Sequence, residues 1–373
     1  MKKKKTLLST LVLLMIAALF LIYNNVYYRT AILRTFAKGS WYVTSERDTI
    51  YTMGYYGIRK YLSKDGKLEL LSVQDDFCNN TLIARSAVIN DEVIYVICRS
   101  YLPGTTVVED NENKNGALVV LNKSDLKVKK ILYSDIKYVE ADIEEERLVI
   151  TGLQGFDIYN VEERETPTVL KSYRYPQRKE FQGMDIYAHK DSLYLAVATY
   201  AVGFEIWNIT YTDSIYQIRS VNTGAIKDMS GGNCIGNMVF DLIVDYPYLY
   251  ATIAPLNIFF GTKNEVRGAV IYDIEKNIAK VIKIPHESWY SVGIGDKEPT
   301  SIDKYGDYVV TNFADKGIAI FKVDNKGGMR YLRTEDVGNE GAHVQPIHIT
   351  NDGVVISGNY WWSDIYDKKM FDN

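Results

Sequence analysis

The chain has 373 residues, 47% of them hydrophobic, which is enough to bury a large core. Its formal net charge of −4 argues against a nucleic-acid partner, because phosphate binding usually shows as a strongly basic balance or stripe. The odd number of cysteines (Cys78, Cys98 and Cys234) excludes a fully paired disulfide framework, and whether Cys78 pairs with Cys98 stays open.

The N-terminal segment is typical of an export signal. Lysines 2–5 precede an uncharged, mainly apolar run of 17 residues, Leu7 to Tyr23. Signal-peptide cores are about 7–15 residues long and membrane-spanning helices about 17–25, and no small-residue cleavage site follows the run. We therefore interpret residues 1–25 as an apolar helix that acts as a signal anchor, with a cleaved signal peptide as the alternative. Because the lysines favour the cytoplasm, the rest of the chain is expected to be extracytoplasmic, either tethered to the membrane or secreted after cleavage.

The body of the chain repeats one short motif at intervals of about 40 to 65 residues. A glycine is followed by alternating apolar and polar residues, an aromatic residue and then Asp or Asn. In chain order the clear and weaker copies are GIRKYLS (57–63), ALVVLNK (117–123), GFDIYNV (155–161), GFEIWNI (203–209), GAVIYDI (268–274), GIAIFKV (317–323) and WSDIYDK (362–368).

Each copy is flanked by further sequence of β type. Two alternating segments joined by a turn lie upstream, as in DIYAHKDSLYLAVA (185–198), and another lies downstream of every copy but the last, as in TVLKSYRY (168–175). Four-stranded units of about 45 residues predict an all-β fold, a seven-bladed β-propeller of four-stranded antiparallel blades over residues 38–373, preceded by the apolar helix. Residues 26–37 are predicted to be a linker or the closing strand of the last blade.

The motif and the turn that follows it, as in FDIYNVEERETPTVLKSY (156–173), resemble the LVIVD-repeat β-propellers. The resemblance covers about residues 40–370. It implies an exported or cell-surface propeller and brings no catalytic motif that maps onto residues of this chain.

Polar residues near the start of each unit's first strand are predicted to face the central channel of the propeller. Three of the aligned residues are acidic, and carboxylates that face one channel raise each other's pKa or attract a cation. Carboxylate oxygens suit Ca²⁺ or Mg²⁺. The alternative is that each Asp accepts hydrogen bonds from backbone N–H groups, as Asp commonly does at turns. No other cofactor is expected. Aligning the units places at equivalent positions Tyr42, Ser86, Glu140, Asp185, Asp241, Ser301 and Pro346.

Long loops between blades are predicted to open on the same face as this ring, and such loops on a rigid scaffold often carry binding residues. A polar pocket with an aromatic wall would suit a sugar or another polar ligand, whereas variable surface loops are the alternative interpretation. The candidate ligand-binding residues are Arg85, Glu140, Asp185, Asp241, His286, Trp289 and His343.

The function is predicted from the architecture, because the chain contains no phosphate-binding loop, no GxSxG and no HExxH. We predict a non-enzymatic binding scaffold at the cell envelope whose partner is an envelope protein or a glycan and which contacts the membrane through the N-terminal helix. The alternative is a propeller enzyme that acts on a glycan or lactone at the channel mouth, with Asp185, Asp241 and His286 or His343 as acid and base groups.

Overall fold

The structure is a computed structural model. It describes residues 42–54, 57–64, 67–74, 82–100, 115–175, 181–200, 202–226, 238–254, 267–285, 299–312, 317–335, 345–350, 355–358, 363–366 and 371. Within these residues the elements are β-strands and two one-turn 3-10 helices, Thr212–Ser214 and Thr223–Ala225. No helix in this described part has the length and hydrophobicity needed to cross a membrane.

The strands form antiparallel sheets in which every strand pairs with its neighbours in sequence. The first three four-stranded blades are β1 (Tyr42–Glu46), β2 (Thr49–Gly54), β3 (Gly57–Lys64) and β4 (Lys67–Gln74); β5 (Leu82–Ile89), β6 (Val93–Ser100), β7 (Gly116–Asn122) and β8 (Val128–Ser134); and β9 (Tyr138–Glu144), β10 (Arg147–Gly152), β11 (Gly155–Asn160) and β12 (Thr168–Arg174). The next three are β13 (Met184–His189), β14 (Ser192–Thr199), β15 (Gly203–Asn208) and β16 (Tyr216–Asn222); β17 (Leu242–Asp245), β18 (Tyr248–Ile253), β19 (Gly268–Asp273) and β20 (Ile278–Lys283); and β21 (Ile302–Tyr305), β22 (Tyr308–Asn312), β23 (Ile318–Val323) and β24 (Met329–Glu335). A three-stranded sheet follows, β25 (Gln345–Ile349), β26 (Val355–Gly358) and β27 (Ser363–Tyr366).

The sheets are arranged in a closed ring, as in a β-propeller. The first strand of each blade contacts the first strand of the next, and β25 of the three-stranded sheet contacts both β21 and β1. Apolar clusters lie between the facing surfaces of neighbouring blades, for example between the second and third blades and between the third and fourth. The ring therefore covers both faces of each sheet, which no single sheet could achieve.

The predicted fold class needs correction in two respects. The prediction of seven four-stranded blades is wrong, because the described residues form six four-stranded blades and one sheet of three strands. After β27 the described chain places Phe371 against Tyr305 and Tyr308 of the sixth blade, with ring centroids 5.6 and 5.0 Å apart, and not along β27. The described residues contain no α-helix. The predicted apolar helix (1–25) and the predicted closing strand (26–37) lie outside them.

Each copy of the repeated motif contributes the third strand of its sheet, β3, β7, β11, β15, β19, β23 or β27. Such a strand packs against the neighbouring blade on both faces. All six residues of β15 are buried, whereas the outer strand β16 beside it is largely exposed. The motif is therefore apolar and aromatic because its strand lies at the centre of the packing between blades.

The glycine that opens the motif is required by a close backbone approach. At Gly203 the φ angle is +138°, and a Cβ atom would lie less than 3.0 Å from the carbonyl oxygen of Val221 on the outer strand. The same overlap would occur between a Cβ at Gly268 and the carbonyl oxygen of Ile282. Only glycine lets the third and outer strands begin pairing this closely.

Among the side chains that the structure describes, the copies of the motif in β11 and β15 carry a buried acidic residue at their third position, and hydrogen bonds hold each of them. Asp157 accepts from the Tyr138 hydroxyl at 2.6 Å and from the Arg174 guanidinium at 2.7 Å. Glu205 accepts from the Tyr175 hydroxyl at 2.9 Å and from the Trp207 indole N–H at 3.1 Å. These partners offset the cost of burying a carboxylate, so both acids act in packing.

Candidate functional site

The first strands of the sheets surround a central channel that contains a cavity of about 490 Å³. Because side chains alternate along a strand, every second residue of a first strand faces this channel. Among the described residues, the acidic and basic side chains that line the cavity are those of Arg85, Arg99, Glu140, Asp142, Asp185, Asp241, Asp303 and His348.

The structure brings together most of the residues that the repeat alignment placed on one ring. The side chain of the predicted Pro346 lies outside the described part of the structure; its neighbour Ile347 lines the cavity, beside a register shift between Gln345 and Ile347. The six predicted ring residues that line the cavity are Tyr42, Ser86, Glu140, Asp185, Asp241 and Ser301.

Four of the seven candidate ligand-binding residues line this one cavity, namely Arg85, Glu140, Asp185 and Asp241. The other three, His286, Trp289 and His343, lie outside the described residues. The predicted aromatic wall therefore stays a prediction.

The sequence alignment missed a second layer of polar residues in the cavity. Asp142 and Asp303 each lie on the first strand of a blade, two residues beyond the equivalent ring position, and therefore on the same face of the strand. Arg99 reaches the cavity from the end of a second strand. Extending the alignment by two residues, which is one period of a strand, would have identified Asp142 and Asp303. No feature of the sequence around Arg99 indicates that this residue reaches the cavity.

Most of the cavity's carboxylates join one sheet to the next. A side-chain oxygen on one first strand accepts a hydrogen bond from a backbone N–H on the first strand of the following sheet. The donor and acceptor pairs are Ile186 to Asp142 at 2.9 Å, Val244 to Asp185 at 2.5 Å, Ile302 to Asp241 at 2.9 Å, Ile349 to Asp303 at 2.6 Å and Ile347 to the Ser301 hydroxyl at 3.1 Å. The inner edges of first strands have no strand partner of their own, so these bonds satisfy N–H groups that ring closure buries.

The three-stranded sheet is joined to both neighbours through His348. Its Nε2 atom lies 2.8 Å from the Ser45 hydroxyl of the first blade, and its Nδ1 atom lies 3.4 Å from Asp303 of the sixth blade. In the repeat alignment His348 lies two residues beyond Pro346, as Asp142 and Asp303 lie two residues beyond their ring positions, and it lines the cavity between the buried Ile347 and Ile349. Ser45 does not line the cavity. We therefore assign this Ser–His–Asp chain to the closure of the ring.

Crowding and burial raise the pKa values of the acidic groups. The pKa of Glu140 is held well above its usual range by burial and then by the nearby Asp241, with the Arg85 guanidinium opposing. Burial and the nearby carboxyl groups, Glu140 first, likewise hold the pKa of the Tyr42 hydroxyl well above its usual range. These side chains are half-buried, because they face the cavity while protein surrounds them on the other sides.

Three further aspartates have raised pKa values. The pKa of Asp185 is held well above its usual range by burial and by the charge of Asp142, and burial also raises the pKa of Asp142. The pKa of Asp241 is raised to about 7 by burial, although the backbone N–H groups of Ile302 and Leu242 favour its charged form. Part of the cavity's acid therefore titrates near neutral pH.

We expect the protein to become less stable as the pH rises from 5 to 8. The pKa of Asp241 is raised in the folded state, so its stabilisation is complete below about pH 4 and is lost as the pH rises through about 7. Urea unfolding at pH 5 and pH 8 measures this change. The Asp241→Asn variant should show a smaller difference, whereas Asp245→Asn, at a solvent-exposed carboxylate, should leave it unchanged. A stability that increases over this range in the unmodified protein would contradict the assignment.

The predicted divalent cation finds no donor set in the described residues, where no three His, Cys, Asp or Glu side chains are arranged to hold a metal ion. The aspartate oxygens point towards backbone N–H groups of the next sheet, as described above. This arrangement supports the alternative interpretation in which the aspartates accept backbone hydrogen bonds.

Comparisons with known proteins support the fold. No protein-family model and no curated protein matches the chain. Among solved structures, the chain is similar to the extracellular domain of BT4673 from B. thetaiotaomicron, described in one structure as a one-component system and in another as a hybrid two-component system. Both have a TM-score of 0.56, and the identities are 13% and 14%. Each similarity covers 88% of this chain but only 38% of the B. thetaiotaomicron chain.

A second similar structure is the computationally designed protein Ika8, with a TM-score of 0.51 and 12% identity. The similarity covers 88% of this chain and 96% of the designed one. At these identities the comparisons show the β-propeller fold and nothing about activity.

Proposed function

We propose that this β-propeller is an extracytoplasmic binding scaffold of LVIVD-repeat type that takes up a small polar ligand in its central channel. The observation that carries the proposal is the cavity of about 490 Å³, which lies within the size range of ligand sites and, within the described part of the chain, is lined by eight acidic or basic residues. Crowded carboxyl groups of this kind take up protons, which raises their pKa, or attract a positively charged group.

The proposed location rests on two separate observations. Lysines 2–5 and the apolar run 7–23 are typical of an exported and membrane-tethered chain. The similar B. thetaiotaomicron structure is described as an extracellular domain. We infer that the propeller faces the envelope, where polar solutes, glycans and other envelope proteins are available as partners.

The enzyme alternative has weaker support. The carboxylates of Asp185 and Asp241 accept backbone hydrogen bonds that join neighbouring blades, which is a packing role. The histidine that the cavity contains, His348, bridges the ring closure between Ser45 and Asp303. We therefore propose binding without catalysis.

The test is a ligand screen by thermal unfolding of the full-length protein in detergent. Amino acids, amines, carboxylates, neutral sugars, Ca²⁺ and Mg²⁺ are each added at millimolar concentration. A ligand at 100 times its Kd stabilises the folded state by about 2.7 kcal/mol, which shifts Tm measurably. Any ligand that acts in the channel should lose its effect in Glu140→Gln and keep it in Glu144→Gln, because Glu144 lies on the same strand but outside the cavity lining. No shift with any class would overturn the proposal.

A further inference from the structure

We propose that the ligand of the central channel is a small organic cation of the primary-amine class, whose ammonium group lies among Tyr42, Ser86 and Glu140. These residues occupy equivalent positions in the first strands of the first, second and third blades, and all three line the cavity. The inference rests on the proposed function. It adds the chemical class of the ligand and the side of the channel at which the ligand binds.

The two sides of the channel use their polar side chains differently. On the side formed by the third to sixth blades, carboxylates accept backbone N–H groups of the following sheet, as Asp185 does from Val244 and Asp241 does from Ile302. In the second blade the equivalent strand carries Ser86 and no carboxylate. The polar groups of the first two blades are therefore the ones that are left for a ligand.

The Ser86 hydroxyl is an independent indication of a ligand on this side. The equivalent serine of the sixth blade, Ser301, accepts the backbone N–H of Ile347 at 3.1 Å. Ser86 lines the same cavity and is 1% exposed, but its hydroxyl has no hydrogen-bond partner among the described residues. Buried hydroxyl groups normally have a partner, so a ligand that donates a hydrogen bond would supply the one that Ser86 lacks.

The electrostatic field on this side of the channel favours a positive charge. The Tyr42 ring packs against the apolar cluster between the first two blades, and its hydroxyl lies close enough to Glu140 for that carboxyl group to raise its pKa. Asp241 raises the pKa of Glu140 more than the Arg85 guanidinium lowers it. The carboxyl groups therefore outweigh the guanidinium at Glu140, and Arg85 keeps the interactions that it makes within the protein.

A primary ammonium group matches these three side chains in charge and in number of hydrogen bonds. It carries three N–H donors, and the acceptors are the hydroxyl oxygens of Tyr42 and Ser86 and the carboxylate of Glu140. Glu140 also accepts the backbone N–H of Met184, and a carboxylate has further lone pairs for the ligand. Asp241 keeps its two backbone donors and contributes only its charge. Binding therefore breaks no bond between blades.

The rest of the cavity suits an organic group better than a bare ion. A volume of about 490 Å³ is far larger than a metal ion, and the described residues offer no set of three metal ligands. The half-buried apolar side chains of Phe240 and Ile243 line the cavity from the fifth blade. Ile243 lies two residues beyond Asp241, at the position where the sixth blade carries Asp303. The organic group of an amine would cover this apolar surface.

The first test compares ligands that differ in the ammonium group, and it uses the unmodified full-length protein in a non-ionic detergent. Methylamine, n-butylamine and benzylamine are the probes, and calorimetry and thermal unfolding measure their binding. Two analogues of the best amine follow: the alcohol of the same shape, which lacks the charge, and the trimethylammonium ion, which lacks the N–H donors. We expect each analogue to bind at least tenfold more weakly, because charged hydrogen bonds are the strong ones.

The affinity for the amine should increase from pH 5 to pH 8. Protons compete with the ammonium group for Glu140, whose raised pKa leaves it less charged at pH 5, whereas the amine stays protonated throughout. Equal affinity at the two pH values would contradict the placement at Glu140. The titratable and charged groups that line the cavity on its own strand, on the surrounding strands and across the channel are Tyr42, Arg85, Arg99, Asp142, Asp185 and Asp241.

Variants then locate the ammonium group. Ser86→Ala and Glu140→Gln should each weaken the best amine about tenfold. The Ser86 hydroxyl has no partner among the described residues, so its removal should leave the Tm of the ligand-free protein unchanged, which separates a loss of binding from a loss of folding. Glu144→Gln is the matched control for the acid, and Ser220→Ala, at an exposed serine of the outer strand β16, is the control for the hydroxyl.

The outcomes separate this inference from the proposed function. An amine that binds equally well to Ser86→Ala, Glu140→Gln and the unmodified protein would overturn the inference. Binding of a carboxylate, a sugar or a divalent ion, but of no amine, would also overturn it and leave the proposed function standing. Binding of nothing would overturn both.

Discussion

Replacing Asp157 by alanine is expected to lower the free energy of unfolding by about 3 kcal/mol, which would be one of the largest single effects in this protein. Asp157 is 2% exposed and accepts hydrogen bonds from Tyr138, Ser134 and Arg174. Its removal takes away the charged acceptor of the buried Tyr138 hydroxyl, which keeps its bond to Tyr159, and removes the inner counter-charge of Arg174. The estimate lies at the lower end of the range of about 3–5 kcal/mol for broken buried pairs, because Arg174 is about one-third exposed.

The control for this prediction is Asp135, which binds the other side of the same arginine. Its carboxylate lies 2.7 Å from Arg174 but is 57% exposed, so the Asp135→Ala variant should lose less than about 1 kcal/mol. Urea denaturation of both variants at one pH gives the comparison. Equal losses in the two variants would show that burial does not decide the strength of this network.

Replacing Gly203 by alanine is expected to cost about 3 kcal/mol of unfolding free energy. The added Cβ would collide with the carbonyl oxygen of Val221, which belongs to the backbone and cannot rotate away. The φ angle of +138° adds strain for any residue with a side chain. The strands β15 and β16 would have to separate at the point where their pairing begins.

Gly306 is the matched control for the glycine prediction. It also has a positive φ angle, +53°, but nothing lies within 4 Å of the place where its Cβ would be. Gly306→Ala should therefore cost only the strain of the left-handed conformation, about 1 kcal/mol. Thermal unfolding of both variants separates the two contributions. A Gly203→Ala variant as stable as Gly306→Ala would rule out the collision with Val221 as the reason for the motif glycine.

The repeated motif allowed the strand order to be predicted from sequence, because the signal is local. A strand packed on both faces must be apolar and aromatic over contiguous residues, and GFDIYNV and GFEIWNI show this directly. The same local reasoning failed at the last blade. It predicted seven four-stranded blades, with residues 26–37 offered as the closing strand of the last one, whereas the last described sheet has three strands and residues 26–37 lie outside the described part of the chain.

The site was predicted in part. Alternation along the first strand identified Glu140, Asp185 and Asp241 as facing one channel, since the period of a strand is fixed by its geometry. It did not identify Asp142 and Asp303, which lie one period further along the strand. It also could not place Arg99, whose position depends on how β6 reaches the ring.

The sequence by itself determined the repeat, the four-segment unit, the third-strand motif and the face of each first strand that meets the channel. These properties are set by residues adjacent in the chain. Only the tertiary structure decided that the aspartate carboxylates bind N–H groups of the next sheet and that His348 links the last sheet to its neighbours. Those contacts join residues 44 to 303 positions apart, and they exist only once the ring has closed and set the register between one blade and the next.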